Sequence, residues 1–366
     1  MVTQAAVATG SDDYSAHISN HPDFDNHEQV VICNSDSLHA IIAVHNSALG
    51  PATGGCRIYP YASFDSALTD VLRLSRGMTY KSAAAALPLG GGKSVIIADP
   101  AKAKSRQMLL AMGDFIESLQ GRYVAAEDSG TTVHDIATMR ERTRHVSGCA
   151  ANEKYSGDPS PVTACGVFLG IKEAVRFRHN VDLLDVRVAI QGVGNVGAHL
   201  ARMLVEAGAK VIVADANNER AHKTAARLGA AVCPPEKILS LDVDVLAPCA
   251  MGAAINSRTI DSIHAGIIAG AANNQLESAE MGMRLLERGI LYAPDYVINA
   301  GGIIDIYYQQ QGIRDQRRIT MHLDIIKHNL AWIFAEAKLQ QRPTNVIADE
   351  LARRRLMATS DESAAA

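Results

Sequence analysis

The chain has 366 residues, and at about 150 residues per domain that length predicts two domains. Its 48% hydrophobic and 20% charged residues are a globular composition, which excludes wholesale disorder. Lys and Arg total 35 against 39 Asp and Glu, and the net charge of −4 argues against a broad phosphate-binding surface and so against nucleic acid as a partner.

Met1 to Asn26 is polar, with neither an apolar core nor a basic start, and reads as a loose tail rather than a signal or transit peptide. No run of about 18 apolar residues occurs, so no membrane segment is expected and the expected location is cytoplasmic. The six cysteines (Cys33, Cys56, Cys149, Cys165, Cys233, Cys249) show no CxxC pair, which predicts reduced, mostly buried thiols and no metal site.

Gln29 to Cys33 and Ala40 to His45 are apolar runs around a short polar turn, the pattern of paired strands. Ser63 is placed to cap a helix whose apolar positions run from Phe64 to about Met78. Val95 to Ala98 predicts a strand, Met108 to Leu119 a helix, and Tyr123 to Ala126 a strand leading into the loop Glu127-Asp128-Ser129-Gly130. Composition shifts between Gly148 and Pro161, where residues 156–161 read as a linker, and an apolar helix starting at or near Pro161 runs to about Arg178. Beyond it strands at 187–191, 210–214, 231–232 and 243–246 alternate with helices at 196–207 and 219–228, which predicts a parallel sheet wrapped by helices. From about Ile304 the chain is mostly helical, including 322–338 and 346–357.

Gly192-Val193-Gly194-Asn195-Val196-Gly197 matches GxGxxG between an apolar strand and a helix, the context in which the motif binds a dinucleotide. Its glycines permit a tight turn, and the pyrophosphate then rests on free N–H groups at a helix N-terminus. Asp215 ends the next strand about 20 residues on, where a carboxylate accepts the ribose hydroxyls and repels a 2′-phosphate. No cation follows before Arg220, so NAD is favoured over NADP.

Gly90-Gly91-Gly92-Lys93-Ser94 resembles the end of a P-loop, but Leu87 stands where that motif needs its first glycine. The alternative is that the glycines hold Lys93 at the wall of a cleft. Lys81, in Gly77-Met78-Thr79-Tyr80-Lys81, shares its apolar, alanine-rich surroundings. Two ammonium groups in one partly dry site depress each other's pKa, and a lysine base needs a value about three units below 10.4 to work near neutrality. Asp128 supplies a carboxylate able to relay protons. Spacing alone leaves lysines on a solvated rim equally open.

These segments, with Gly50-Pro51-Ala52-Thr53-Gly54-Gly55, Ala126-Glu127-Asp128, Ala271-Ala272-Asn273-Asn274-Gln275 and Tyr296-Val297-Ile298-Asn299-Ala300-Gly301-Gly302, resemble the leucine/phenylalanine/valine group of amino-acid dehydrogenases, relatives of glutamate dehydrogenase. The resemblance covers about residues 27 to 356 and is closest to the leucine-type members. It implies the reversible reaction of an L-amino acid, NAD⁺ and water to a 2-oxo acid, ammonium and NADH. Lys81 would hold the substrate carboxylate, Lys93 would activate water as general base, and Asp128 would shuttle protons to the departing nitrogen. Gly54 and Gly55 would let backbone approach the substrate. Thr163 would lie near the cofactor; Asn273 would orient the nicotinamide and Asn274 the substrate carboxylate.

The side-chain pocket implied by the resemblance comprises Thr53, Ala126, Ile303 and Ile306. Ala126 fits leucine-type members, whereas Thr53 stands where relatives carry leucine or methionine, and the isoleucines stand where valine is frequent. A methylene discriminates by only about 1–3 kcal/mol, so aliphatic branched-chain substrates are expected, with phenylalanine or tryptophan as the rival. Asp305, between the isoleucines, is expected to face solvent. A silent NAD-binding sensor would need none of Lys81, Lys93 and Asp128, and a glutamate enzyme would need a cation in the pocket. The expected architecture is α/β: a substrate and oligomerisation domain at 1–148, a Rossmann-type doubly wound nucleotide domain at 149–339, a cleft between them, and a C-terminal helix at 340–366 returning to the first. A homo-oligomer is expected.

Overall fold

A computed structural model describes residues 7–8, 14–148, 158–250, 252–313 and 315–364. Cys149, residues 156–157 of the expected linker and most of residues 1–13 lie outside the described residues. The chain divides into two compact units, one of residues 1–157, 309–313 and 354–366, the other of 158–308 and 314–353.

The first unit is built on a six-stranded mixed sheet in the order β1-β2-β3-β5-β4-β6. Its strands are β1 (Val7–Ala8), β2 (Gln29–Ser35), β3 (Leu38–Asn46), β4 (Ala52–Tyr59), β5 (Gly90–Ile97) and β6 (Tyr123–Glu127). β2 and β3 form the expected antiparallel pair, Gln29 opposite Val44 and Ser35 opposite Leu38. One face carries helix α2 (Phe64–Ala84), whose Leu68, Val71 and Leu72 pack on Val30, Ile41 and Val95. Helices α3 (Arg106–Glu117) and α4 (Val133–Met139) contribute Met112, Ile116 and Ile136 to a second core with Ile42, Ile58 and Ile96. Ser63 caps α2 as expected, its hydroxyl accepting from the Ser66 N–H in a reciprocal capping box.

Three local expectations change. The segment read as a loose tail contains α1 (Ser15–Ser19), and its Ile18, only 2% exposed, joins the α2 core, while Tyr14 packs on Phe64 at 4.9 Å. Two apolar side chains are enough to dock an otherwise polar stretch. Helix α2 runs six residues past Met78, which places Lys81 in its last turn. Strand β5, expected from Val95, already starts at Gly90 and takes in all three glycines. A Cβ on Gly91 would sit 2.0 Å from the Thr79 nitrogen, and one on Gly92 would sit 2.7 Å from the Tyr123 ring, so helix and strand meet backbone to backbone.

The second unit has a fully parallel six-stranded sheet in the order β12-β11-β10-β7-β8-β9. It comprises β7 (Arg187–Gln191), β8 (Lys210–Ala214), β9 (Ala231–Val232), β10 (Val245–Pro248), β11 (Ile267–Ile268) and β12 (Leu291–Tyr292). Counted within the unit this is 3-2-1-4-5-6, the doubly wound order, with its switch point between β7 and β10. Around it lie α5 (Ser160–His179), α6 (Asn195–Glu206), α7 (Asn218–Leu228), α8 (Glu280–Glu287), α9 (Asp295–Ile298), α10 (Gly301–Gln310) and α11 (Gln316–Gln340); α12 (Thr344–Ala364) ends the described chain. Helix α5 opens at Ser160 and Pro161, the start expected near Pro161, where a proline in the first turn forfeits no helical hydrogen bond. Asp305 does not face solvent: it is 5% exposed, because α10 buries the consecutive positions Ile303, Ile304 and Asp305 and so has no solvent-facing stripe there.

The Tyr123 hydroxyl ties the first sheet together, 3.0 Å from the Ser94 hydroxyl and donating to the Gly54 carbonyl at 3.0 Å. Tyr123→Phe leaves these buried partners unpaired, and a loss of about 1–3 kcal/mol is expected in urea unfolding of the first unit; an unchanged midpoint would contradict that.

Candidate active site

At the switch point of the second unit, β7 ends at Gln191 and the chain turns through Gly192 with φ +94°, a conformation that favours glycine. The Gly192 N–H donates to the Ala214 carbonyl at 2.7 Å. A Cβ on Gly197 would lie 2.0 Å from the Gly192 oxygen, so this glycine closes helix α6 onto the turn. Gly194 differs: it is the N-cap of α6, no side chain caps that helix, and a Cβ there would meet nothing within 4 Å. Uncapped N–H groups facing open space are the construction of a pyrophosphate site.

Asp215 follows β8 and is 8% exposed. Its carboxylate accepts from the Val193 N–H at 2.9 Å and the Asn217 N–H at 2.8 Å, which clamps the end of β8 to the glycine turn. Arg220 lies 3.6 Å from the same carboxylate, so the cation excluded by chain distance is close in space. Helix α7 starts at Asn218 and brings its first turn back over Asp215. The turn, the open helix end and the carboxylate together fit a nicotinamide dinucleotide.

Lys93 stands on β5, opposite Ala43 of β3, and is 6% exposed. Its Nζ contacts the Asp128 Oδ2. The Asp128 loop is stitched to β4: the Asp128 N–H donates to the Thr131 hydroxyl, which donates to the Cys56 carbonyl, both at 2.9 Å. Gly130, at φ +83°, passes so near Ile58 that a Cβ would lie 2.1 Å from its oxygen. Burial, then the Arg57 guanidinium and the Lys81 ammonium, pull Lys93 down to about 7, with Asp70 opposing them. The touching Asp128 carboxylate also favours the ammonium, so proton gain and loss at Nζ depend on where that carboxylate sits.

Lys81, half-buried in the last turn of α2, lowers Lys93 through charge, in the direction expected for the second lysine. Gly54 and Gly55 are required by internal packing: a Cβ on Gly54 would fall 1.7 Å from the Gly92 oxygen, and one on Gly55 2.6 Å from the Asp128 Cβ. Gly55 therefore makes room for the Asp128 side chain. Thr53, its hydroxyl donating to the Pro51 carbonyl at 3.3 Å, and Ala126, paired with Gly55, are buried in the same sheet.

The remaining expected residues belong to the second unit. Thr163 donates to the Pro159 carbonyl at 2.9 Å, and Gly302 runs so close that a Cβ would be 2.7 Å from its hydroxyl. Ile303 is buried and Ile306 half-buried on α10. Asn273 and Asn274 are exposed, Asn274 at φ +52°, and buried Asn299 donates to the Asn273 side-chain oxygen at 2.8 Å. Val193 is buried, Val196 half-buried and Asn195 exposed in the glycine turn. The described cysteines are free, and no metal-holding cluster occurs among the described residues. No helix among them is long and apolar enough to cross a membrane.

Arg57 and Asp70 have no place in the sequence reading, and Asn299 appears there only within a motif, without a role. A charged residue inside the apolar run Cys56-Arg57-Ile58, directly after two glycines, is the signal that would have drawn attention to Arg57.

Residues 28–145 match the family described as "Glu/Leu/Phe/Val dehydrogenase, dimerisation domain", and residues 156–219 and 213–346 match "Glutamate/Leucine/Phenylalanine/Valine dehydrogenase". The chain is 46% identical over 333 residues to a leucine dehydrogenase of Geobacillus stearothermophilus, covering 90% of each chain. It is 47% identical over 334 residues to an L-tryptophan dehydrogenase of Nostoc punctiforme (90% and 93% covered), and 41% identical over 354 residues to a valine dehydrogenase of Streptomyces virginiae (95% and 99%). The crystal structure of L-tryptophan dehydrogenase from Nostoc punctiforme superimposes with a TM-score of 0.78 at 44% identity, covering 92% of this chain and 97% of that one.

The two motif glycines separate by experiment. Gly197→Ala is expected to destabilise the second unit, whereas Gly194→Ala should leave the melting temperature nearly unchanged and weaken dinucleotide binding about tenfold in a fluorescence titration; equal melting losses would contradict the assignment.

Proposed function

The chain belongs to the glutamate/leucine/phenylalanine/valine dehydrogenase family and is an amino-acid dehydrogenase, and from that premise we propose that it oxidatively deaminates a branched-chain aliphatic L-amino acid with NAD⁺. Lys93 carries this reading. A lysine buried at the end of a glycine run, in contact with a carboxylate and drawn toward neutrality, is a general base rather than a surface charge.

The nicotinamide, when bound, supplies the hydride acceptor. The N–H groups at the start of α6 hold its pyrophosphate, and Asp215 accepts from the adenosine ribose. Thr163 and Asn273 orient the nicotinamide, Asn299 holding Asn273 in place. Lys81 is read as a holder of the substrate carboxylate, and Asn274 of the second unit as a residue that orients it. Lys93, as the neutral amine, takes a proton from the water that attacks the imino carbon, and Asp128 carries protons to the leaving nitrogen. The contact between Nζ and the Asp128 carboxylate supports proton exchange between them.

Thr53 and Ala126 of the first unit and Ile303 and Ile306 of the second, the residues read for the substrate side chain, are all uncharged, which suits an aliphatic side chain and leaves a γ-carboxylate without a partner. The 47% identity to a tryptophan dehydrogenase stands beside 46% to a leucine dehydrogenase, so an aromatic amino acid is the second reading. The family description of residues 28–145 supports self-association through the first unit.

Three measurements test this reading. Neutral Lys93 is the working form in deamination, so kcat/KM should fall about tenfold per pH unit below about 7 and level off above it, with the opposite dependence for amination. Lys93→Ala should lose about 10²–10⁴ in kcat and the inflection near 7; full activity would refute its role. Asp215→Ala should erode the preference for NAD over NADP by about tenfold or more, because Arg220 is left facing a 2′-phosphate; an unchanged ratio would remove Asp215 from cofactor selection.

A further inference from the structure

Arg57 lies on β4, one strand from Lys93, and its guanidinium is forked between two carboxylates. Nη1 donates to the Asp70 Oδ2 at 2.8 Å, and Nη2 lies 3.5 Å from the Asp128 Oδ1. The other Asp128 oxygen is the one that touches Lys93. Asp70 is fixed in turn by Tyr61, whose hydroxyl donates to the same Oδ2 at 2.5 Å. A charge relay therefore runs Tyr61–Asp70–Arg57–Asp128–Lys93 across α2, β4, the loop after β6 and β5. Only its last two members belong to the proton chemistry proposed above.

We propose that Arg57 is a positioning residue that divides the Asp128 carboxylate between itself and Lys93, and that Asp70 sets how strongly Arg57 pulls. The inference rests on the assignment of Lys93 as base. A planar guanidinium with one edge committed to Asp70 presents its other edge to Asp128 in a fixed direction. Drawing Asp128 toward Arg57 weakens its hold on the ammonium and releases the neutral amine. Without Arg57 the carboxylate belongs to Lys93 alone, and the lysine stays protonated to higher pH. Without the Asp70 charge, Arg57 is free to bind Asp128 more fully, and the lysine deprotonates at lower pH.

The other groups acting on Lys93 agree with this division. The Arg57 guanidinium depresses it and Asp70 raises it, while Lys81 depresses it from the end of α2. Cys56, buried beside Arg57 on β4, is a thiol that burial pushes up to about 11, so it carries no charge near neutrality. Arg57 and Asp70 thus pull Lys93 in opposite directions. A purely structural pair would not, since loss of either partner of a packing salt bridge weakens the fold in the same sense.

The test uses full-length enzyme with Arg57→Gln, Arg57→Lys and Asp70→Asn. The titration of Lys93 is followed by NMR of enzyme carrying ¹³C at the lysine ε-carbon, the resonance assigned by its absence from Lys93→Arg. The pH dependence of deamination kcat/KM is measured in parallel. Arg57→Gln is expected to move the Lys93 titration upward by about one pH unit and Asp70→Asn to move it downward, with Arg57→Lys near the parent value. Titrations that do not move, or that move in the same direction in the Gln and Asn variants, overturn the proposal. If Arg57→Gln does not fold, the downward movement in Asp70→Asn decides alone. Should the NMR titrations move as expected while the rate profile ignores them, the relay stands and the assignment of Lys93 as base fails.

Discussion

Taking a lysine ammonium out of water costs several kcal/mol, and much of the first unit is arranged to offset that cost at Lys93. The compensation is local and dense. Asp128 touches Nζ, Thr131 and Gly130 bind the Asp128 loop to β4, and Gly55 leaves the space that the Asp128 side chain fills. Glycines at 54 and 90–92 let α2, β4 and β5 approach backbone to backbone, so that Lys81 acts on Lys93 from the end of the helix. An ammonium held this way stays close to giving up its proton, which is the condition for a base that works near neutrality.

The second unit solves a different electrostatic problem with similar means. A nucleotide's pyrophosphate needs positive potential without a bulky side chain in the way. The uncapped start of α6 supplies the N–H groups, and the empty space at Gly194 leaves room for the ligand. Asp215 has two tasks there: it secures the Val193 backbone of the glycine turn and presents a carboxylate at the end of β8. Removing it should therefore disturb both the shape of the turn and the choice of cofactor.

Much of this was legible in the chain because it is written in short-range patterns. The GxGxxG turn between an apolar strand and a helix, the acid ending the next strand, the Ser63 cap and the β2–β3 pair all depend on neighbours a few residues apart, and all appear in the structure as read. The misreadings share a cause. The expected strand begins only at Val95, yet β5 starts at Gly90, because Thr79 and Tyr123 pack against Gly91 and Gly92 from far along the chain. Ile18 and Asp305 were assigned to the surface on local composition, and tertiary packing buries both.

By itself, then, the sequence determined the α/β class and the glycine turn between strand and helix, since residue type and spacing suffice for each, and it offered Lys81, Lys93 and Asp128 as candidates only. Tertiary structure alone decided which charges face one another. Arg57 meets Asp70 across 13 positions and Asp128 across 71, and Arg220 folds back onto Asp215. Electrostatic coupling depends on separation in space and on burial, and neither is encoded in chain distance. For that reason a lysine that could equally have sat on a solvated rim is, in the folded protein, a buried ammonium touching an aspartate that an arginine reaches from its other oxygen.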